Sequence, residues 1–319
     1  SLFDQSRSAS AAKMTASFDK SGAFTGLEHA FAAGWPTKAM APGFLSPGVD
    51  GNGKFDAFSA SGADHWYSMS SHRARAINNE IAQSTFTPGW LRSVGPGWIA
   101  WSLESFIDEI AHKQGKDPVQ FRIEMLDGKG KQAGKAPESV GGALRLRNVL
   151  KKVSDKVASV KLGQDEGIGF SVSSGQERTM PAWLATAAHV HVNRDSGKIT
   201  LKKLYVVVDA GLIVHPDGAL AQIEGSLLWG SSLALHESNT YKDGQVSATN
   251  FNTYLPLRMQ DVPDMDIEFL QSDEFPVGLG EPGVIGVAPA IGNAIFNAVG
   301  VRLRDLPMKP SEVIKGLKA

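Results

Sequence analysis

One apolar segment in the second half of the chain does most to restrict the fold. Residues 204–208 read Leu-Tyr-Val-Val-Val, so apolar side chains point to both faces of an extended chain. Such a strand is typical of a sheet that is covered on both sides. The segment lies in a predicted hairpin, at 189–193 and 198–208, whose turn contains Gly197. We therefore expect a buried sheet at the centre of this half.

The other periodic segments predict an α+β fold. Helices are expected where apolar residues recur every three or four positions, and strands where apolar and polar residues alternate. The predicted strands lie at 13–18, 23–32, 167–173 and 265–270, and the predicted helices at 98–112, 117–126, 140–157, 217–235 and 290–299. Strands and helices are interspersed without regular strand–helix–strand units, which is typical of α+β architecture.

Glycine, proline and polar residues predict the connections. Residues 33–63 and 276–289 are rich in glycine and proline, so long irregular connections are expected there. Gly225 and Gly230, inside the predicted helix 217–235, indicate that another element packs closely against it. The polar stretch 129–138 has the composition of a linker. We therefore place two domains at 1–138 and 139–319.

Composition excludes several classes of protein. The 319 residues contain no cysteine, which removes iron–sulfur ligation, thiol catalysis and cysteine-type zinc sites. The 32 basic and 33 acidic side chains leave a formal charge of -1, so we expect no nucleic-acid partner. No apolar run approaches the roughly 20 residues of a membrane helix. The sequence starts at Ser1 without signal-peptide features, so we expect a processed or partial polypeptide.

The segment Gly278-Leu279-Gly280-Glu281-Pro282-Gly283 matches the G-x-G-x-x-G pattern of dinucleotide-binding loops. Pro282 removes a backbone N–H, Glu281 places negative charge where phosphate would sit, and the next helix is predicted several residues later, so we reject that interpretation. Glu281 is instead a candidate general base, because apolar neighbours on both sides would desolvate its carboxylate and raise its pKa. A solvated loop glutamate is the alternative.

Histidines and aromatic residues give weaker signals. His189 and His191 share one face of a strand, but no third metal ligand is evident nearby, so a cross-strand pair is the preferred interpretation. His215 precedes a predicted helix and is expected to be a capping or core histidine. Core packing is the preferred explanation of a cluster of aromatic residues, with a substrate pocket as the alternative. This cluster comprises Trp66, Tyr67, Trp90, Trp98 and Trp101.

Three segments resemble the molybdenum hydroxylase family, the xanthine dehydrogenase and aldehyde oxidase group. The pattern is most similar to the large subunits of isoquinoline 1-oxidoreductase and membrane-bound aldehyde dehydrogenase. The segments are Trp90–Gly95 leading into Leu103–Glu109 and Asp117–Arg122, then Val208–Gly211 with His215–Asp217 and Ala221–Gly225, and finally Gly278–Gly283 with Ala288–Phe296, Arg302 and Arg304. They occur in order and with the family's spacing.

The resemblance implies a fold, a cofactor and a set of site residues. It implies the two-lobed molybdenum-cofactor-binding domain of the xanthine dehydrogenase type, with residues 1–138 in its first part and 139–319 in its second. Glu281 matches the family's general base, Gln222 a glutamine that contacts the pterin, and Arg92 and Ser93 a loop beside the molybdenum; Gly280 adds a cofactor contact. The cofactor would be molybdopterin cytosine dinucleotide, whose own sulfurs hold the metal, so no protein metal ligand is expected.

The resemblance also implies an activity and partners. The expected reaction hydroxylates an aldehyde to a carboxylic acid with oxygen from water; hydroxylation of an N-heterocycle and a non-catalytic structural subunit are the alternatives. The family's upstream cofactor loops are not found here, so a partner chain with the N-terminal half is expected. A small [2Fe-2S] subunit and a cytochrome c subunit are expected beside it. The expected compartment is the periplasm, with the cytoplasm and a flavin subunit as the alternative. His215 stands where the family has asparagine.

Overall fold

The computed structural model describes residues 6–48, 51, 53–85, 87–129, 142–175 and 181–319. Chain contacts divide these residues into two compact units. We call residues 6–144 the N-terminal unit, and residues 145–175 with 181–319 the C-terminal unit. The predicted domain boundary, between residues 138 and 139, lies outside the described residues and stays a prediction.

A small mixed sheet and a set of helices form the N-terminal unit. The sheet has the order β1-β2-β5, with β1 antiparallel and β5 parallel to β2. Its strands are β1 (Ser10–Phe18), β2 (Phe24–Ala33), β3 (Ser46–Pro47), β4 (Lys54–Phe55) and β5 (Ser71–Asn78). Its helices are α1 (Pro36–Met40), α2 (Ala57–Ala60), α3 (Glu80–Thr85), α4 (Val94–Lys113) and α5 (Pro118–Met125).

One face of β2 packs under the start of α4. Phe31 and Ala33 of β2 join Val94, Trp98 and Ile99 of α4 in one buried apolar cluster. The first turn of α4 is therefore held against the sheet by apolar contacts.

A second feature of this core is an ion pair. Nε of Arg122 lies 2.9 Å from a carboxylate oxygen of Glu104, and both side chains are fully buried.

The C-terminal unit is built on a four-stranded sheet of order β11-β8-β7-β6. Strands β6, β7 and β8 are antiparallel, and β11 is parallel to β8. The strands of this unit are β6 (Glu166–Ser174), β7 (Trp183–Val192), β8 (Ile199–Asp209), β9 (Tyr241–Lys242), β10 (Gln245–Val246) and β11 (Asp264–Phe269). Its helices are α6 (Gly142–Val157), α7 (Pro216–Leu235), α8 (Pro282–Ile285), α9 (Val287–Val299) and α10 (Pro310–Leu317).

Helix α9 packs directly on β6 and β7. Gly167 and Gly169 face it, and a Cβ on either glycine would collide with the backbone of α9. The window 282–299 is apolar and long enough to cross a membrane by composition, yet 72% of it is buried inside the described structure. Such burial is typical of a core helix.

Most predicted elements are confirmed, with ends shifted by a few residues. Strand β8 is buried at residues 204–208, as the apolar run predicts. The prediction of an irregular segment 276–289 is wrong in part, because it contains α8 and the start of α9. The prediction for residues 33–63 is also wrong in part, since α1 and α2 lie there. Elements β5, α3 and α10 were not predicted.

Candidate functional site

Glu281 lies at the N-terminus of α8, at the end of the loop that carries the glycines of its motif. Pro282 occupies the first turn of α8, where its missing N–H costs no hydrogen bond. The helix begins directly after Glu281, so the expectation of a delayed helix is wrong. The objections from Pro282 and from the charge of Glu281 to a dinucleotide site still hold.

Close packing holds α8 from behind. A Cβ on Gly283 would lie 2.6 Å from Cβ of Ser226 in α7, so only glycine permits this approach. On the other side, a Cβ on Gly286 would lie 2.9 Å from the Thr186 hydroxyl of β7. The residues of α8 are buried. Helix α8 thus packs tightly between α7 and the sheet, and Glu281 lies at its N-terminal end.

The front of the same loop is open. A Cβ on Gly278 or Gly280 would meet nothing within 4 Å, and both glycines are exposed. Glu281 is half-buried, as are Val277 and Leu279. Of the four apolar neighbours, Val284 and Ile285 are therefore buried and the two on the loop side are only half-buried. A half-buried carboxylate beside exposed glycines is a chemically suitable proton acceptor for a bound molecule.

Gln222 lies one helical turn from the point where α8 meets α7. The Ser226 hydroxyl donates a hydrogen bond of 2.7 Å to the backbone carbonyl of Gln222, and Ser226 is the residue that contacts Gly283. The Gln222 residue is exposed, and a Cβ on Gly225 would meet nothing within 4 Å. The structure therefore brings the segments of Gln222, Gly280 and Glu281 together.

The two glycines expected to mark close packing on α7 behave differently. Gly230 does so, since a Cβ there would lie 2.8 Å from Val287 of α9. Gly225 faces open space, so that expectation is wrong for it. Gln222 and Gly280 are both exposed, and a Cβ on Gly280 would meet nothing within 4 Å, so this surface has room for the edge of a flat polar ligand. These residues fit a contact with a pterin.

Arg92 and Ser93 belong to the other unit. Ser93 has φ +78° and Val94 has φ +37°, both in the left-handed region that non-glycine residues rarely adopt. Ser93 is fully buried and Arg92 half-buried. The Val94 N–H donates a 2.7 Å hydrogen bond to the Leu91 carbonyl, which closes the turn. Strained backbone of this kind is frequent at ligand sites, although the role of this turn stays a prediction.

The interpretations of His189 and His215 are confirmed. Nε2 of His189 lies 3.0 Å from a Glu166 oxygen on the neighbouring strand, which is the cross-strand pair that was expected. The hydrogen bond from Lys202 lowers the pKa of Glu166 to about 2, and the Gly163 N–H and His189 act in the same direction. Nδ1 of His215 accepts the Gly218 N–H and caps α7. Among the described residues no cluster of metal-ligating side chains occurs.

The aromatic cluster is only partly a core feature. Trp66, Tyr67 and Trp98 are buried, as core packing predicts. Trp90 is 43% exposed and packs edge-on against Phe58.

Two features at these positions are not predicted from the sequence. One is the left-handed backbone at Ser93, for which the residue types give no signal. The other is an ion pair between Arg145 and Asp209, although Asp209 lies at the end of the most apolar strand. A carboxylate that ends a buried strand is a usable signal, since buried charges are normally paired.

Comparison with known proteins bears on all of these segments. Residues 145–263 match the molybdopterin cofactor-binding domain family. The chain is 51% identical, over 99% of its length, to membrane-bound aldehyde dehydrogenase [pyrroloquinoline-quinone] of Gluconacetobacter polyoxogenes. It is 30% identical over 222 residues to isoquinoline 1-oxidoreductase subunit beta of Brevundimonas diminuta. The chain spans 41% of the first relative and 27% of the second.

Solved structures show the same fold at low identity. The aldehyde oxidoreductase of Desulfovibrio gigas superposes with a TM-score of 0.74 and 16% identity, covering 100% of this chain and 50% of its own. Quinoline 2-oxidoreductase of Pseudomonas putida 86 gives a TM-score of 0.77 and 14% identity, covering 99% and 63%. At this identity the likeness shows the fold alone, and it confirms the predicted α+β architecture of the molybdenum-binding domains.

Proposed function

Because the chain belongs to the molybdenum hydroxylase family, we propose that it is part of an oxidoreductase that converts an aldehyde to a carboxylic acid with oxygen from water. The observation that carries this proposal is the 51% identity, over nearly the whole chain, to an aldehyde dehydrogenase. The match of residues 145–263 to a molybdopterin-binding domain supports the cofactor class.

Glu281 is the proposed general base. Its carboxylate lies at the N-terminal end of a tightly packed helix, so a proton can be taken at one fixed position without movement of the backbone. When bound, the molybdenum cofactor supplies the two-electron oxidation. Gln222 and the backbone at Gly280 would bind and orient the pterin, and Arg92 and Ser93 are proposed as further cofactor-binding residues.

Hydroxylation of an N-heterocycle is the second candidate reaction. It is favoured by the 30% identity to isoquinoline 1-oxidoreductase subunit beta, which extends over 70% of this chain. In this proposal Glu281 is the base in both reactions, so the residues of the site do not separate them. The preference for an aldehyde follows from the higher identity.

The cofactor form, the partners and the compartment are further parts of the proposal. We expect molybdopterin cytosine dinucleotide, shared with a chain that supplies the part of the relatives that this chain does not span. A separate [2Fe-2S] subunit would accept the electrons, because this chain has no cysteine to bind a cluster. A cytochrome c subunit and a periplasmic location complete the proposal.

One experiment separates these candidates. The native assembly is purified and assayed with an aldehyde series and with isoquinoline, using NAD, oxygen and an artificial one-electron acceptor in parallel. Molybdenum and pyrroloquinoline quinone are measured in the same preparation. We expect molybdenum and aldehyde oxidation with the artificial acceptor. Pyrroloquinoline quinone without molybdenum would overturn the proposed molybdenum cofactor. Activity with isoquinoline alone would overturn the proposal that the substrate is an aldehyde. Reduction of NAD in a cytosolic fraction would overturn the proposed periplasmic location.

A further inference from the structure

A two-pronged ion pair lies at the end of the central strand β8. Nε and Nη2 of Arg145, in α6, lie 2.7 and 2.5 Å from the two carboxylate oxygens of Asp209. The two side chains are 11% and 9% exposed. Parallel hydrogen bonds of this kind define a geometry as well as an attraction, and Lys cannot reproduce them.

Asp209 also shapes the turn that follows it. The Gly211 N–H donates to a carboxylate oxygen of Asp209 at 3.3 Å, a long and weak bond. Gly211 has φ +70°, and a Cβ there would collide with the Phe275 carbonyl oxygen. The turn 209–211 therefore lies directly against the segment 274–277 with no space between them.

Two backbone hydrogen bonds join that turn to the segment before Glu281. The Leu212 N–H donates to the Glu274 carbonyl at 2.9 Å, and the Val277 N–H donates to the Ala210 carbonyl at 3.0 Å. Val277 precedes Glu281 by four residues. A continuous set of contacts thus runs from Arg145 through Asp209 to the base of the Glu281 loop.

We propose that Arg145 is a positioning residue for Glu281, acting through Asp209 and the turn 209–212; this inference rests on the proposed function. Loss of Arg145 leaves the Asp209 carboxylate buried without its guanidinium partner, so the turn must relax toward water. A shift of about 1 Å at a catalytic group can lower the rate on the order of 10²-fold.

The first test measures the loop itself. Hydrogen exchange is followed in the complete assembly for wild type, Arg145→Met and Arg145→Lys, in peptides covering 209–213 and 274–281. Arg194→Met is the matched control, because Arg194 pairs with Asp165 at 2.6 Å but is half exposed. We expect exchange at least ten-fold faster in both peptides for Arg145→Met, a smaller change for Arg145→Lys and none for Arg194→Met. Wild-type exchange in Arg145→Met would overturn the proposal.

The second test asks whether Arg145 acts through Glu281. We expect Arg145→Met to lower kcat about 10- to 100-fold with KM nearly unchanged, and Arg145→Lys to recover part of the loss. Combined with Glu281→Gln, Arg145→Met should add no further loss, whereas multiplication of the two losses would overturn the proposal. If Glu281→Gln alone keeps wild-type turnover, the proposed role of Glu281 as the base fails, and the exchange experiment still decides whether Arg145 holds the loop.

Discussion

Residues 90–97 and residues 278–283 both lead into the N-terminus of a helix, but their backbones differ. The first segment places Ser93 and Val94 at φ +78° and +37°. In the second, none of residues 278–283 has a positive φ. The second segment reaches its position through glycine instead, because Gly283 lets α8 approach Ser226 of α7.

The difference identifies what each segment is sensitive to. Left-handed backbone costs roughly 1–3 kcal/mol per residue, so residues 93–94 persist only while the surrounding core holds them. That core is the cluster of Phe31, Val94 and Trp98. Segment 278–283 has no such strain. Its position depends instead on the absence of a side chain at Gly283 and on the contact of Gly283 with Ser226.

The largest effect is expected at the unstrained segment. Glu281→Gln keeps the shape of the side chain but removes the proton acceptor, so turnover should fall by about 10³-fold or more while cofactor content stays constant. Steady-state kinetics normalised to bound cofactor measure this. Glu312→Gln, at the start of α10, is the control and should leave turnover unchanged. Turnover near wild type in Glu281→Gln would remove this residue from the mechanism.

Acid should first destabilise the core cluster that holds residues 93–94. Burial lowers the pKa of His29 to about 4, and nearby His72 adds to this; His29 packs edge-on against Phe31 of the same cluster. A base with a lowered folded-state pKa stabilises the fold above its unfolded value of about 6.5, and this stability is lost as the pH falls toward 4. The full loss is on the order of 3 kcal/mol.

In the C-terminal unit, the pH range in which stability is lost is lower. The pKa of Glu166 is about 2, so its contribution is complete above about 4.5 and is lost between 4.5 and 2. Lowering the pH from 6.5 to 4.5 should therefore reduce the protection of the β2 amides against hydrogen exchange and leave the β6 amides protected. His29→Gln should abolish the change in β2. Equal weakening of both strands in this range would contradict the contrast.

Adding one methyl group should disturb the segment that depends on packing. Gly283→Ala forces Cβ against Ser226, and we expect a loss of about 1–3 kcal/mol in unfolding free energy together with lower turnover. Gly225→Ala is the matched control, since its Cβ would enter open space on α7 and should raise helix stability by about 0.5–1 kcal/mol. Chemical denaturation measures both. Equal effects would show that packing does not hold this loop.

The smallest effect isolates backbone strain. Ser93→Gly and Ser93→Ala both remove the hydroxyl, but only glycine adopts φ +78° without cost. We expect the glycine variant to be more stable than the alanine variant by about 1 kcal/mol. Denaturation midpoints of the two variants test this, and identical midpoints would mean that Ser93 carries no strain.

Local signals explain which parts of the structure could be predicted. The Asp117 cap was predictable because its carboxylate accepts the N–H groups of Val119 and Gln120, as Asp-Pro at a helix start predicts. Strand β5 was missed because most of its residues are exposed and its alternation of arginine and alanine covers only residues 73–76. The first half of β7 was missed because residues 183–188 are buried on both faces.

The candidate site was predictable only in part. Glu281 is a candidate because of its motif and the family resemblance, and its role stays a prediction. Its support was not predictable, because the contacts of Gly283 with Ser226 and of Arg145 with Asp209 join residues that are distant along the sequence. The backbone of Ser93 is set by tertiary packing, which no local pattern encodes.

The most direct test of the central claim is the molybdenum content of the native assembly, measured per copy of this chain by elemental analysis in fractions across the aldehyde-oxidising peak. We expect about one molybdenum atom per chain, with metal and activity rising and falling together. Aldehyde oxidation in fractions that contain this chain but no molybdenum would show that the chain does not act with a molybdenum cofactor.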